Sequence, residues 1–391
     1  MEETSVQAKE YSRQKIHLAI YRLLLTFLFF VVILLSGASL FLRNVVVAWH
    51  QNFYIQTGLY LIVFSLIYDL IFLGLDFYGG FFLEHKFLLS NQTILDWIKQ
   101  GIKKYLLSLS LCIVAGEMLY VFLRHFPNTW WLPVTAGWFF LTVVLGKIAP
   151  VLIIPLFYKC NPLGNESLKR TLLDLCTTCG VGIKRVFEIK LSKETRKANA
   201  AVAGFGKSKR ILLSDTLLRN YTDDEIEAVF AHELAHVCLR HIWKILVFGA
   251  IISLISFYLA NLSFNKCLNF FGFKQVYDIA AFPLLALILL FIGLVFIPVQ
   301  NVFLRYLEKK ADMFALGHIQ NKENFISMLK KLGKQNLSDP APGKLVRILF
   351  YTHPPISERV GYASKWNKIL KQHNTVEGSD YTIGGSDNKK Q

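Results

Sequence analysis

Charge is what this sequence has least of. Only 18% of its 391 residues are Asp, Glu, Lys or Arg, while 53% are hydrophobic, and the mean hydropathy is +0.40. Soluble globular chains carry about 25% charged residues. The shortfall excludes an ordinary soluble domain and points to a polytopic membrane protein. Acidic residues are scarcer still, 27 against 43 basic ones, for a net charge of +16. Such an excess suits anionic lipid headgroups. Nucleic acid is the rival partner of a basic chain, but no nucleic-acid-binding motif accompanies the charge. Cysteine is sparse as well: six residues, scattered through apolar stretches and presumed cytoplasmic parts, so no disulfides are expected. Cys176-x-x-Cys179 has no second pair in its region, and a structural zinc site there would need further ligands.

Long apolar runs are what the chain has in abundance. Six are long enough to span a bilayer, near residues 19–42, 54–76, 104–123, 131–157, 244–262 and 280–304, since a spanning helix needs about 17–25 residues. The first is too long for a signal-peptide core and reads as a retained helix. Lys and Arg concentrate before the first run, between the second and third, in 158–243 and after the sixth. That alternation predicts both termini, and the stretch 158–243, on the cytoplasmic side. Asp69, Glu117 and Lys147 lie within the runs and should face protein or water. Pro150 and Pro155 should kink or end the fourth span. The segment Ile94 to Ile102 reads as an amphipathic helix on the membrane surface.

The chemistry concentrates at His232-Glu233-Leu234-Ala235-His236. Residues four apart share a helix face at about 100° per residue, so His232 and His236 can offer two imidazole nitrogens to one metal ion. Glu233 beside them can accept a proton from a water that the ion polarises. Zinc suits this arrangement, because catalytic zinc takes three protein ligands and leaves a position open. Thr222-Asp223-Asp224-Glu225 reads as a capping box that starts the helix. The helix is expected to run on into the fifth span. His241 is then a poor third ligand, because nine residues beyond His232 is about 180° around a helix; an orienting or interfacial role suits it better. Membrane topology selects Glu308 or Asp312 instead. His236 lies eight residues before the fifth run and Glu308 four after the sixth, so two antiparallel spans return the acid to the same face. Glu308 and Asp312 share a helix face; one can bind metal while the other orients a ligand histidine.

Between the fourth and fifth runs the chain reads as soluble, with a helix from Leu168 to Cys179 and strands at Val186–Leu191 and Arg210–Ser214. Ala198-Asn199-Ala200-Ala201-Val202-Ala203 precedes the turn Gly204 to Lys209. It reads either as a sheet edge to which a peptide adds as an extra strand or as an ordinary hairpin. Further on, His353 precedes two prolines and is held rather rigidly. His353 and Arg359 could stabilise an oxyanion, or Arg359 could hold a substrate carboxylate. Residues 374–391 are rich in Gly, Ser, Asp and Lys and read as disordered.

Together these segments resemble one family, the type I CAAX prenyl endopeptidases (CAAX prenyl protease 1), integral-membrane zinc metallopeptidases. The resemblance is carried by Ala198-Asn199-Ala200 with Gly204 to Arg210 and Asp215 to Leu218, by His232 to His236, by Glu308-x-x-x-Asp312, and by His353-Pro354-Pro355 with Glu358-Arg359. Leu83 to Phe87 and Pro155 to Lys159 are weaker echoes. The resemblance implies one zinc ion on His232, His236 and Glu308, with Glu233 as general base and Asp312 supporting from behind. It implies that Asn199, with Ala200 and Ala201 of the strand, holds the substrate backbone, and that His353 and Arg359 stabilise the transition state. It also implies helices enclosing an intramembrane chamber. Eukaryotic members of the family carry seven spans where six are counted here, and usually a tyrosine where Ala201 stands.

The expected architecture is therefore mostly α: six spans, or seven as in those relatives, with a small α/β zincin-like catalytic domain on the cytoplasmic side. Its parts are transmembrane helices at 1–157, a catalytic region at 158–243, a transmembrane hairpin at 244–304, a second catalytic region at 305–373 and a tail at 374–391. The expected function is a membrane-embedded zinc endopeptidase acting on a peptide or protein substrate, prenylated or membrane-associated. The membrane would be the bacterial inner membrane or the eukaryotic endoplasmic reticulum. The rival readings are an HtpX-like quality-control protease and a non-catalytic scaffold stabilised by zinc.

Overall fold

Uninterrupted apolar sequence goes into long helices. The computed structural model describes residues 2–183 and 185–377. Among them six helical runs are long and apolar enough to cross a membrane: Ser5–Leu35, Phe53–Lys86, Ile94–His125, Trp131–Phe157, His241–Phe271 and Ile279–His318. At most 33% of the most apolar window of any run is buried within the protein, so most of that surface is left to lipid or to space between helices. The expected mostly helical membrane architecture is borne out, and three local expectations are corrected.

The first correction lies within 19–42, expected as one span. Helix α1 (Glu2–Leu35) stops at Ser36–Gly37, and α2 (Ala38–Trp49) starts anew. Gly37 has φ 72°, a left-handed conformation that glycine takes at little cost. The 12 residues of α2 reach only about 18 Å, short of a bilayer. Helix α3 (Phe53–Phe77) then runs through a π-helical turn, Tyr78–Phe82, into α4 (Leu83–Lys86).

The second correction concerns Ile94 to Ile102. It is no surface helix but the start of the 32-residue α5 (Ile94–His125). The Thr93 side chain accepts from the Asp96 N–H, fixing the start, and no breaker follows before His125. Helix α6 (Trp131–Ile148) passes Pro150 by a second π-helical turn, Ala149–Ile153, into α7 (Ile154–Phe157). The prolines deform this run without ending it.

The chain then builds a four-stranded sheet flanked by helices. In order come β1 (Cys160–Pro162), α8 (Glu166–Thr178), β2 (Val186–Ile189), β3 (Ala200–Ala203), β4 (Arg210–Ser214), α9 (Asp215–Asn220) and α10 (Asp223–Cys238). The strand order is β1-β2-β4-β3. β2 and β4 are parallel, and the other pairs antiparallel. β3 is thus both an edge strand and one arm of a hairpin, so the two readings of Ala198–Ala203 coincide. The turn needs Gly204: its φ is 98°, and a Cβ there would lie 2.6 Å from the Ser208 carbonyl oxygen.

The third correction is at the end of α10. The helix does not run into the membrane. It ends at Cys238, and Arg240, at φ 54°, redirects the chain into α11 (His241–Leu268). A turn leads to α12 (Phe282–His318), which packs along both α11 and α10. Helices α13 (Lys322–Gln335), α14 (Lys344–Phe350) and α15 (Ile356–Glu377) complete the chain. Residues 374–377 close α15; the rest of the tail expected to be disordered lies outside the described residues.

Two large apolar cores result, beside a small third cluster at Tyr11, Leu83, Leu89 and Leu337. One joins Leu172 of α8, Ile211 and Leu213 of β4, Phe230 and Leu234 of α10, and Phe325 of α13. The other packs Tyr60, Tyr120 and Trp130 against Phe264 and Ala280. The joint between α10 and α12 sits in the first core, and that joint positions the site.

Candidate metal centre

Helix α10 is fixed at its start and along its inner face. Thr222 and Glu225 form the expected capping box, with the Glu225 N–H donating to Thr222 Oγ1 at 3.3 Å and the Thr222 N–H donating to Glu225 Oε2 at 3.0 Å. Glu225 also accepts from Ser327 Oγ and Lys331 Nζ, both at 2.7 Å. One buried carboxylate thus pins α13 to α10. Ile226, Phe230 and Leu234 bury the inner face. His232, Glu233 and His236 are left toward α12.

Helix α12 returns Glu308 to this point. Its carboxylate lies 3.1 Å from His232 Nε2 and 3.4 Å from His236 Nε2, and the two Nε2 atoms are 3.4 Å apart. The three donor atoms lie within 4.8 Å of one another, the sole such cluster among the described residues. Two imidazoles and a carboxylate match the donor preference of zinc and similar divalent ions. Glu308 Oε2 is buried with no hydrogen-bond partner, a costly state that a cation relieves. These residues therefore fit a metal ion.

The outer nitrogens are held in turn. His232 Nδ1 faces Asp312 Oδ1 at 2.8 Å. His236 Nδ1 faces His241 Nδ1 at 3.1 Å. With Nε2 kept as a ligand atom, each ligand ring carries its proton on Nδ1 and donates outward, the pattern that fixes ring orientation in metal sites. Arg359 grips Asp312 with two bonds, Nε to Oδ2 at 2.8 Å and Nη2 to Oδ1 at 2.6 Å. Tyr362 donates to the same carboxylate.

Charge follows this geometry. Burial disfavours the ionised form of Glu233 and pushes its pKa up to about 7. Burial draws the His232 pKa down, but Asp312 and Glu308 more than offset it and carry it to about 9. Burial and the neighbouring His232 pull His236 down to about 4. Without a cation, a proton on His232 balances the carboxylates; a metal ion would take that place.

The remaining expected residues converge on the same cleft. His353 Nε2 lies 3.5 Å from Glu308 Oε2, with 61% of its side chain exposed. Asn199 turns its backbone to β4, accepting from the Ser214 N–H at 2.9 Å. Ala200 and Ala201 follow on β3. The Val202 backbone N–H is near enough to the Glu233 carboxylate to favour its ionised form, so the edge strand runs beside the candidate base. A cavity of about 160 Å³ lies among Asn199, Ala200, His232, Glu233, His353 and Arg359.

Sequence reasoning gave His241 an orienting or interfacial role, which its contact with His236 fits, but missed the turn that brings it there. It assumed one continuous helix, and no Gly or Pro marks the break after Cys238. Tyr362 was missed too, although it stands three residues beyond Arg359 and so on the same helix face.

Comparisons with known proteins agree with this geometry. Residues 162–367 match the family model of peptidase family M48. Residues 1–159 match that of the CAAX prenyl protease N-terminal region, described as five membrane helices. The chain is 30% identical over 362 residues to YhfN, an uncharacterized metalloprotease of Bacillus subtilis, covering 92% of this chain and 85% of that protein. It is 31% identical to CAAX prenyl protease 1 of Saccharomyces cerevisiae, covering 78% and 71%. The crystal structure of S. mikatae Ste24p superposes with a TM-score of 0.82 at 26% identity, covering 93% of this chain and 89% of that one. With the spans, the metal-ligand cluster and these matches in hand, the chain belongs to peptidase family M48 and is an integral-membrane metallopeptidase acting on peptide or protein substrates.

Proposed function

We propose that the protein is a zinc endopeptidase that cleaves near the cytoplasmic end of membrane-associated polypeptides, with prenylated C-terminal segments as the leading substrate class. The convergence of His232, His236 and Glu308 beside Glu233 carries this reading. The substrate class rests on relatives named CAAX prenyl protease 1. Cytoplasmic placement of both termini and the catalytic domain rests on the alternation of basic loops. The intramembrane chamber remains part of this reading, and the mostly lipid- or space-facing surface of the spans supports it.

His232, His236 and Glu308 hold the ion, and Asp312 and His241 hold the two imidazoles in position. Zinc held by these residues would supply Lewis acidity toward a water and the scissile carbonyl. Glu233 takes the proton from the attacking water and delivers it to the leaving amine, for which a pKa near 7 is well placed. The substrate backbone pairs with the outer edge of β3 through the outward backbone groups of Ala200, flanked by Asn199 and Ala201. His353, exposed at the cleft, donates to the developing oxyanion. Arg359, which holds Asp312 by two of its N–H groups, contributes to the transition state through that carboxylate.

The test is cleavage of a farnesylated C-terminal peptide and its unprenylated twin by the purified protein in lipid nanodiscs, with zinc content measured in parallel. Zinc-dependent cleavage that favours the farnesylated peptide is expected. Equal cleavage of both, or preference for an unfolded membrane protein, would replace the prenylated class with a quality-control role.

A further inference from the structure

Four polar residues of α12, Asn301, Arg305, Glu308 and Asp312, follow the spacing of a single helix face. All four are buried. Glu308 and Asp312 belong to the metal centre. Asn301 and Arg305 meet a different partner, the C-terminal end of the short helix α14. Asn301 Nδ2 donates to the carbonyls of Ile348 at 3.1 Å and Leu349 at 2.8 Å. Arg305 Nη1 donates to the Arg347 carbonyl at 2.9 Å and also to the Tyr351 carbonyl. The last carbonyls of a helix lack partners within it, and their negative end attracts a cation. Among the described residues, the side-chain hydrogen bonds of Arg305 all go to carbonyl oxygens. Two residues beyond Tyr351 comes His353, followed by the buried Pro354 and Pro355, from which α15 starts. That start is tied to α12 as well, through Arg359 and Asp312. The loop carrying His353 is therefore held by α12 at both ends. Glu308 stands between the two ties, 3.5 Å from His353 Nε2. Thr352 Oγ1 faces His353 Nδ1 at 3.0 Å. With that hydroxyl donating, Nε2 carries the ring proton on the metal side.

We infer that Arg305, aided by Asn301, is a positioning residue for His353. By gripping the carbonyl end of α14 it sets where the imidazole stands, and so how well the Nε2–H meets the developing oxyanion. The loop has little else to fix it. Its two prolines offer no N–H for anchoring. Helix α14 is only seven residues long, and its Leu345, Leu349 and Phe350 are exposed, so packing alone holds it weakly. Arg305 itself touches neither the ligand atoms nor the cleft; it acts through the backbone of Tyr351. Position matters here because a misplacement of about 1 Å can cost about 10²-fold in rate. One face of α12 thus places the third metal ligand, the support behind His232 and the oxyanion donor together.

This inference rests on the proposed oxyanion role of His353. It is tested by double-mutant cycles in nanodiscs: Arg305→Met and Asn301→Ala, each alone and combined with His353→Ala. The readouts are kcat and KM for a farnesylated peptide, bound zinc, and amide hydrogen exchange over residues 344–353. His353→Ala alone should lower kcat by about 10²-fold or more, the scale of a lost oxyanion donor. Arg305→Met keeps the apolar stem and removes the donors. It should lower kcat by about ten- to a hundredfold, with KM and zinc content within about twofold. Asn301→Ala should do the same to a smaller degree, and it carries the cycle alone if Arg305→Met does not fold. In the His353→Ala background either substitution should change kcat by less than about twofold, since a residue that acts through another then has nothing to act on. Exchange over 344–353 should quicken in both single variants. Equal losses of kcat in both backgrounds, loss of zinc, or unchanged exchange would overturn the positioning role. No fall in kcat for His353→Ala, or no cleavage by the unsubstituted enzyme, would count against the proposed function itself and take this inference with it.

Discussion

Arg359 holds Asp312 by two parallel hydrogen bonds, and the Oδ1 that accepts one of them also receives His232 Nδ1. All three groups are buried. A planar guanidinium makes this fork and a lysine ammonium cannot. Arg359→Lys should therefore lower metal affinity about 10–100-fold, the usual cost of losing a partner behind a ligand. Metal content after dialysis against a graded chelator reads this directly. Full metal retention with lost turnover would instead assign Arg359 to direct contact with the reacting atoms.

Glu233→Gln separates binding from chemistry. The amide keeps the shape and removes the base. Turnover should fall by about 10²–10⁴-fold while zinc content stays at that of the unsubstituted protein. Parallel measurement of bound zinc and peptide cleavage is sufficient.

His241→Phe leaves the His236 Nδ1–H without an acceptor in a buried setting. The ring fills the space, so the fold should persist, and metal affinity should fall by about tenfold. Chelator competition checks it. An unchanged affinity would make His241 a packing residue only.

Glu225→Gln tests the tie between α10 and α13. Burial alone would raise the pKa of this carboxyl, but Lys331 and Ser327 outweigh it and the pKa is lowered. A depressed carboxyl contributes stability above its unfolded pKa and loses it as the pH falls. At pH 7 the substitution should cost about 1–3 kcal/mol, seen as a lower melting temperature in detergent. The gap between the two proteins should narrow as the pH falls below about 4.3, the unfolded value, and close once the lowered pKa of the native carboxyl is passed.

The spans, the facing pair His232 and His236 and the capping box were legible because each depends on short-range rules: apolar run length, helical spacing and a cap. Glu308 was reachable through topology, since two spans must return the chain to its starting face. The breaks at Gly37 and at Arg240 were not. Glycine is common in spanning helices, and Arg240 adopts φ 54° with no Gly, Asn or Pro beside it to announce the turn. The hold of Arg305 on Tyr351, 46 residues away, was equally hidden, since the sequence shows it only as one of the basic residues after the sixth run.

The bend at Leu239–Arg240 places His241 at the head of a lipid-embedded rod with its ring resting on a ligand histidine. Tilting that rod moves the ring. Bilayer thickness, which sets the tilt of a spanning helix, thereby gains a mechanical lever on the hydrolytic centre, and the same enzyme should run at different speeds in thin and thick membranes.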